Sequence, residues 1–434
     1  MAGLEQKLAA ATKAATDAAA AATAADAEKK PRKEKEKHPG HGPRPQPALP
    51  IEEVLHTLDE ADQACRECGG HMGTWDGQAD ETEEIEVIGR RFVIKKHIRQ
   101  KYRCKCGCIE MPDMPSRLVP GGRYSNDFAV ETATMKFVDQ LPFDRIARIF
   151  GREGLVIDSQ TLWDQVEVLA RKFHPAWERL RFVALLDDVV GLDQTHWKVI
   201  GHSKSWQMWE LSNPRIAYFA IAESKGTKDG ETILGNFKGT VLCDAFSTHG
   251  ALERLTGLTL AHCWAHPRRM AEEALTTDKV RATELIAFIR ELYDVEDEGK
   301  GDVEKLRDLR AKRSRAVLER LWAWRDKQRV LPSSPMGKLL AYLNNHKAGF
   351  ERFVGDPKIP IDNNQTERGY LWVAIGRRSF VGSRSKRGTE VAALFYSLAE
   401  SARRNRLDPK AYFKLALDAA LRGVQVPLPH EVAT

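Results

Sequence analysis

Long apolar runs are missing from this chain. No stretch of its 434 residues approaches the ~18–20 consecutive apolar residues that span a bilayer, so a membrane protein is not expected. The N-terminus has no charged-then-apolar leader pattern, and secretion is not expected either. Cysteine is too unevenly placed for a disulfide framework: of seven, five fall between Cys65 and Cys108, and the other two lie far downstream. In a chain of the reducing cytosol such clustering points to metal more than to cross-links. Charge of one sign is in modest excess, +6 in total. Its local clustering says more than its sum, because basic strips serve polyanion binding. What remains is an ordinary globular composition, with length enough for two or three domains.

Residues 1–27 are mostly alanine with few large apolar side chains, which predicts a frayed helix or disorder. Lys29, Lys30, Arg32, Lys33, Lys35 and Lys37 follow, then several prolines: a solvated basic linker, either a spacer or a charged arm for nucleic acid. Cys65-x-x-Cys68-Gly69-Gly70 has the form of a zinc knuckle, two thiolates on a turn that glycine allows to curl round the ion. Ile85 to Ile98 alternates like a strand or hairpin. Cys104-Lys-Cys106-Gly-Cys108 supplies the second half. Four ligands suffice, so one cysteine is surplus: Cys65, Cys68 and Cys104 are the firmer ligands, and the fourth is Cys106 or Cys108. Residues 125–172 predict three helices, broken at Leu141-Pro142 and at Gly151 to Gly154, with Asp158 capping the third. That pattern suits a helix-turn-helix or a plain helical packing unit.

From about residue 181 the pattern changes to strands. Val183 to Val199, Trp206 to Leu211, Ile216 to Ile221, Gly239 to Cys243 and Leu258 to His262 read as strands, with a short helix near Thr232 to Phe237. This is an α/β sheet, and acids at the strand ends of such sheets face ligand crevices. Residues 271–354 read as long helices inserted between the last strand and the segment Asp362-Asn363-Asn364-Gln365-Thr366-Glu367-Arg368. That segment opens a helix capped by Asp362 or Asn363, and Glu367, Tyr370, Leu371 and Ala374 share one face. A carboxylate on an inward stripe needs a positive partner, an arginine or a metal ion. Arg377, Arg378, Arg384, Lys386 and Arg387 follow as a basic strip. A last amphipathic helix, Thr389 to Asn405, ends in Arg403, Arg404 and Arg406, which either contact phosphate or complement the helix dipole.

Three acids therefore stand out by context: Asp193 on the first strand, Asp244 after a later one and Glu367 on a helix beyond an insertion. Carboxylates arriving from separate elements can hold two Mg²⁺ ions ~4 Å apart. Leu192-Asp193-Gln194-Thr195, Leu242-Cys243-Asp244-Ala245, Cys263-Trp264-Ala265-His266-Pro267-Arg268-Arg269, the Glu367 segment and Gly376-Arg377-Arg378 with Gly382-Ser383 occur in that order. Over roughly residues 51–415 the chain resembles transposases of insertion-sequence family 66. Gln194 stands where that family usually carries an acid; it is not one of the three and is expected to tune the surroundings of the site.

The resemblance implies a ribonuclease-H-like catalytic domain of the DDE type, with Asp193, Asp244 and Glu367 as the catalytic, magnesium- or manganese-binding triad. It implies zinc in the cysteine module. Cys263-x-x-His266 resembles a signature found after the second aspartate in several DDE transposase groups; its thiol and imidazole are read as structural support of the site in preference to zinc. Arg268, Arg269, Arg377, Arg378, Arg384, Lys386 and Arg387 are the candidate DNA contacts. The implied layout is a disordered or linker region at 1–50, a zinc module at 51–120 and a helical region, compatible with a helix-turn-helix, at 121–180. The catalytic domain takes 181–270 plus 355–388, the helical insertion 271–354, and the C-terminal helices and tail 389–434. The implied activity is DNA cleavage and strand transfer at the ends of the element, on terminal inverted repeats and target DNA. The implied protein is a multimer, served by accessory proteins and associated with the bacterial nucleoid in the cytoplasm. Two rival readings are a metal-dependent nuclease that never joins ends and a zinc-dependent DNA-binding protein with a decayed catalytic site.

Overall fold

The structure, a computed structural model, describes residues 70–71, 92–98, 100–103, 109–110, 113–204, 206–244 and 253–432. The five clustered cysteines, and with them the expected zinc ligands, lie outside the described residues. A two-stranded antiparallel pair, β1 (Tyr102–Arg103) and β2 (Ile109–Glu110), precedes three helices. These are α1 (Asn126–Phe137), α2 (Phe143–Arg152) and α3 (Ser159–Ala184). Side chains that compete with the backbone for hydrogen bonds cap two of them: Ser125 accepts from Phe128 N, and Asp158 from Thr161 N.

Five strands form one mixed sheet in the order β5-β4-β3-β6-β7. They are β3 (Val189–Trp197), β4 (Trp206–Ser212), β5 (Ala217–Ala222), β6 (Thr240–Cys243) and β7 (Thr259–His262). β3, β4 and β5 run antiparallel, whereas β3, β6 and β7 run parallel. The crossover from β5 to β6 carries α4 (Thr227–Leu234). This helix lies earlier in the chain than the sequence pattern suggested, because Gly235, with φ of 57°, ends it before Phe237. The first predicted strand is likewise shorter, since α3 runs on to Ala184.

Residues on β6 and β7 alternate between two cores, as the two-residue period of a strand requires. Val241, Cys243 and Leu260 join the larger core, built with α1, α3 and the C-terminal helices. Leu242 and Ala261 join a second core made by the inserted helices. These are α5 (Ala265–Ala274), α6 (Lys279–Glu298), α7 (Val303–Leu309), α8 (Arg315–Asp326), α9 (Pro335–Asn345) and α10 (Lys347–Glu351). A π-turn at Arg310–Ser314 joins α7 to α8 and turns the Arg310 side chain inward. Arg310 donates to the carbonyls of Phe353, Asp356 and Ile359 and pairs with Glu296. One buried guanidinium thus fixes the segment that leads into α11 (Asn364–Phe380).

The chain closes with α12 (Lys386–Arg404), α13 (Pro409–Leu421) and a last turn, α14 (Pro429–Val432). The apolar stripe expected on α12 is buried throughout, and the helix covers the free edge of β5. Ser397 Oγ accepts from Phe219 N at 2.7 Å, and Ser401 Oγ accepts from Ala217 N at 3.0 Å. Four residues of helix and two of strand both advance about 6–7 Å, so the two hydroxyls meet alternate edge amides. An exposed strand edge is thereby closed without a sixth strand. Among the described residues no helix is long and apolar enough to cross a membrane.

Ser397→Ala and Ser401→Ala should each destabilise the protein by about 1–3 kcal/mol, the cost of stranding a buried edge amide. Chemical denaturation checks this; a change below about 0.5 kcal/mol in both variants would show that the edge is satisfied in another way.

Candidate active site

The three strand-borne positions of the site stand level with one another. Gly191 pairs with Leu242, so two residues further on Asp193 stands level with Asp244. Cys243 pairs with His262, and Cys263 N donates to Cys243 O at 3.2 Å, so Asp244 stands level with Cys263. Asp193, Asp244 and Cys263 therefore form a row across three parallel strands, in the middle of β3 and one residue past the ends of β6 and β7. Asp193 Oδ1 also accepts from the Gln194 backbone N–H at 2.7 Å.

Helix α11 crosses above this row. Its start is held by Asp362, which accepts from Asn364 N at 3.1 Å and from the Tyr293 hydroxyl at 2.8 Å. The cap is therefore Asp362, since the side chain of Asn363 makes no capping bond. The inward face is Thr366, Gly369, Tyr370, Val373 and Gly376, and Leu371 points outward. This corrects the face expected from the sequence. Glycine lets the helix approach closely, because a Cβ at Gly369 would strike the Glu210 carboxylate of the sheet and one at Gly376 would strike Gln140, between α1 and α2, and Tyr396 on α12. The Tyr370 hydroxyl reaches the Asp193 and Met208 carbonyls at 2.8 and 3.2 Å. Burial pushes the Tyr370 phenol well up, and Asp193, Glu210 and Asp244 push it in the same direction.

Glu367 sits beside the inward face and meets positive charge, as expected for an acid in that place. Arg269 Nη2 lies 3.3 Å from its Oε2, and His266 Nε2 lies 3.7 Å from its Oε1. Cys263 Sγ accepts from Asn363 N at 3.2 Å and so ties the end of β7 to the start of α11. Burial pushes the Cys263 thiol up to about 12. Among the described residues, the group of potential ligands drawn within 4.8 Å of one another is Cys263, His266 and Glu367. Asp193 and Asp244 lie outside that set.

Sequence reasoning missed the acid beneath the helix. Glu210 is the cross-strand partner of Asp193, is fully buried and pairs with Arg404 at 2.6 Å. Arg404, 6% exposed, also donates to the carbonyls of Asn213 and Ile216. Arg403 pairs with Glu400 and lies over the Trp372 ring. The two arginines at the end of α12 are thus internal, and Arg406 alone of the three is exposed. Burial pushes Glu210 well above the usual carboxylate range, and the Arg404 charge pulls it back.

The expected DNA contacts divide into two groups. Arg378, Arg384 and Lys386 have exposed side chains and no ion pair among the described residues. Arg268 pairs with Glu272, Arg269 with Glu367, and Arg387 with Glu167 and Glu390. Arg377 donates to Thr195 Oγ1 at 3.0 Å and to the His196 carbonyl. The outer face of α2 adds Arg145, Arg148 and Arg152, all exposed, which the sequence pattern did not single out.

Comparison with known proteins gives the family of the chain. The model of the transposase IS66 family matches residues 121–391. A second, described as the zinc-finger binding domain of transposase IS66, matches residues 62–107. The chain belongs to the transposase IS66 family. Among its relatives is the uncharacterized protein y4jD of Sinorhizobium fredii (strain NBRC 101917 / NGR234). It is 27% identical over 404 residues, which cover 86% of this chain and 78% of that protein. The uncharacterized protein y4hP of the same strain is 26% identical over 386 residues, which cover 81% and 70% of the two chains.

Arg404→Met would leave the Glu210 carboxyl buried without its cation, at an expected cost of about 3–5 kcal/mol near neutral pH. A raised folded-state pKa means that the folded protein holds the proton more tightly than the unfolded chain. The stability lost as pH rises is therefore regained as pH falls toward the unfolded value near ~4.3. Denaturation at about pH 8 and about pH 5.5 should show a smaller deficit at the lower pH; an equal deficit at both would mean that Arg404 does not change the charge state of Glu210 between those pH values.

Proposed function

We propose that the protein cuts and joins DNA at the ends of an insertion element, with Asp193, Asp244 and Glu367 binding a pair of Mg²⁺ or Mn²⁺ ions. The observation that carries this reading is the level placement of Asp193 and Asp244 under the helix that bears Glu367. Three carboxylates are the hard oxygen donors that such ions take. They do not gather round a single point, and a pair of ions ~4 Å apart spans acids that one ion would not. When bound, the ions supply an activated attacking oxygen and charge stabilisation for the leaving one. The mixed five-stranded sheet with inserted helices supports a ribonuclease-H-like catalytic domain over 181–270 and 355–388.

Within that reading the chain's own groups have separate tasks. Asp193 is fixed by the Gln194 amide and by Tyr370 on its carbonyl. Glu367 is aimed by its helix and restrained by His266 and Arg269. Arg378, Arg384 and Lys386 are free to meet phosphates, and a phosphate-binding strip makes affinity fall with salt. The zinc-finger domain and the helices of 121–180 would choose the terminal repeats through base contacts. No covalent enzyme intermediate is required. Pairing two ends calls for a multimer, with accessory proteins of the element as further partners.

Labelled terminal-repeat DNA incubated with Mg²⁺ tests the reading. Wild type should give joined products, and Asp244→Asn should lose them while still binding the DNA. Cleavage without joining would favour a nuclease, and binding with neither reaction a DNA-binding regulator. Separately, replacing Cys65 and Cys68 by serine should lower the bound zinc by about one ion per chain in metal analysis. Unchanged zinc would remove the cysteine module as its site.

A further inference from the structure

The ligand set at the end of β7 differs in chemistry from the row of acids. A thiol, an imidazole and a carboxyl from Cys263, His266 and Glu367 offer atoms that all lie within 4.8 Å of one another. His266 Nε2 and Glu367 Oε1 are 3.7 Å apart, close to the ~3.3–3.5 Å between two ligands of one tetrahedral zinc ion with bonds near 2.0–2.1 Å. Among the described residues the buried Glu367 Oε1 makes no hydrogen bond, and His266 Nε2 stands beyond hydrogen-bond reach of it at 3.7 Å. Its other oxygen is already taken by Arg269. Cys263 Sγ also accepts from Asn363 N at 3.2 Å, which fixes the sulfur in place.

We propose that Cys263, His266 and Glu367 bind a borderline transition-metal ion, Zn²⁺ foremost, at a site distinct from both the cysteine module and the Asp193–Asp244 row. Mixed sulfur, nitrogen and oxygen donors select zinc-like ions over magnesium. Thiolate and carboxylate together balance the charge of a divalent ion, and the thiol proton leaves to solvent on binding. Three protein ligands leave a fourth position open, the arrangement of a site that can exchange its ion or accept an outside ligand. The coordination stands independently of magnesium chemistry at Glu367. Competition between the two for Glu367 rests on the proposed function: with the zinc-like ion bound, Glu367 is held away from the row of acids.

Full-length protein stripped of metal and titrated with Co²⁺ in the absence of DNA gives the test, because visible bands report tetrahedral sulfur and nitrogen ligation. Wild type should take up one equivalent more than Cys263→Ser and one more than His266→Asn. Glu367→Gln, which keeps the side chain's shape, should weaken that equivalent about tenfold or more and remains informative where a ligand variant fails to fold. Asp244→Asn should retain the equivalent even as strand transfer is lost, which separates this site from the proposed catalytic one. Equal cobalt uptake by wild type, His266→Asn and Glu367→Gln would overturn the proposal. Loss of the same equivalent in Asp244→Asn would overturn it too, by moving the ion onto the row of acids.

Discussion

Helix α11 can lie on the sheet only where side chains are absent between them. A methyl group at Gly191 would run into Thr366 and Asn363, and one at Gly369 into the Glu210 carboxylate. A glutamate reaches only a few ångströms beyond its helix, so without this approach Glu367 would stand off the strands near Asp193 and Asp244. The rest of the molecule maintains that closeness. Arg310 holds the incoming segment by three carbonyls, Cys263 takes the amide of Asn363, and Tyr370 binds the carbonyl of Asp193 from above. Glycine contributes closeness and no packing energy of its own, so the stabilising contacts have to come from these polar anchors and from the large cores on either side.

The same closeness explains a costly feature. Glu210 lies under the helix, faces Asp193 across the strands and is removed from water entirely. An ion pair in that position gains little net stability, because desolvation offsets most of the attraction. What it supplies is placement. Arg404 reaches the turn between β4 and β5 and the Gln365 carbonyl at 3.3 Å as well as Glu210, and so joins the end of α12, the sheet edge and the first turn of α11.

Much of this was legible in the sequence. Asp158 caps the helix it precedes, as the sequence pattern indicates. β4 runs over Trp206–Ser212, where the stretch Trp206 to Leu211 read as a strand. The unread features share one cause: their partners are distant in the chain. Glu210 sits in a run that reads as apolar strand, and its cation is 194 residues away. Ser397 and Ser401 look like minor polar interruptions of a helical stripe until β5 is laid beside them. The face of α11 was misjudged by giving weight to large residues, where close approach selected small ones.

The segment from Cys263 to Arg269 shows how a contiguous motif acquires its sense from a remote residue. Cys263 ends β7 and binds the backbone at the start of α11, and Trp264 is buried with its indole N–H on the Phe350 carbonyl. His266 and Arg269 then fall three residues apart, one above the other on α5, and both reach Glu367. Spacing by three from 263 to 266 to 269 is therefore the spacing of groups that converge on one carboxylate from 98 residues away. A thiol, an imidazole and a guanidinium on one acid exceed what a structural salt bridge needs. Glu367 is held with the Arg269 guanidinium on one oxygen, the His266 imidazole on the other and the Cys263 sulfur close by.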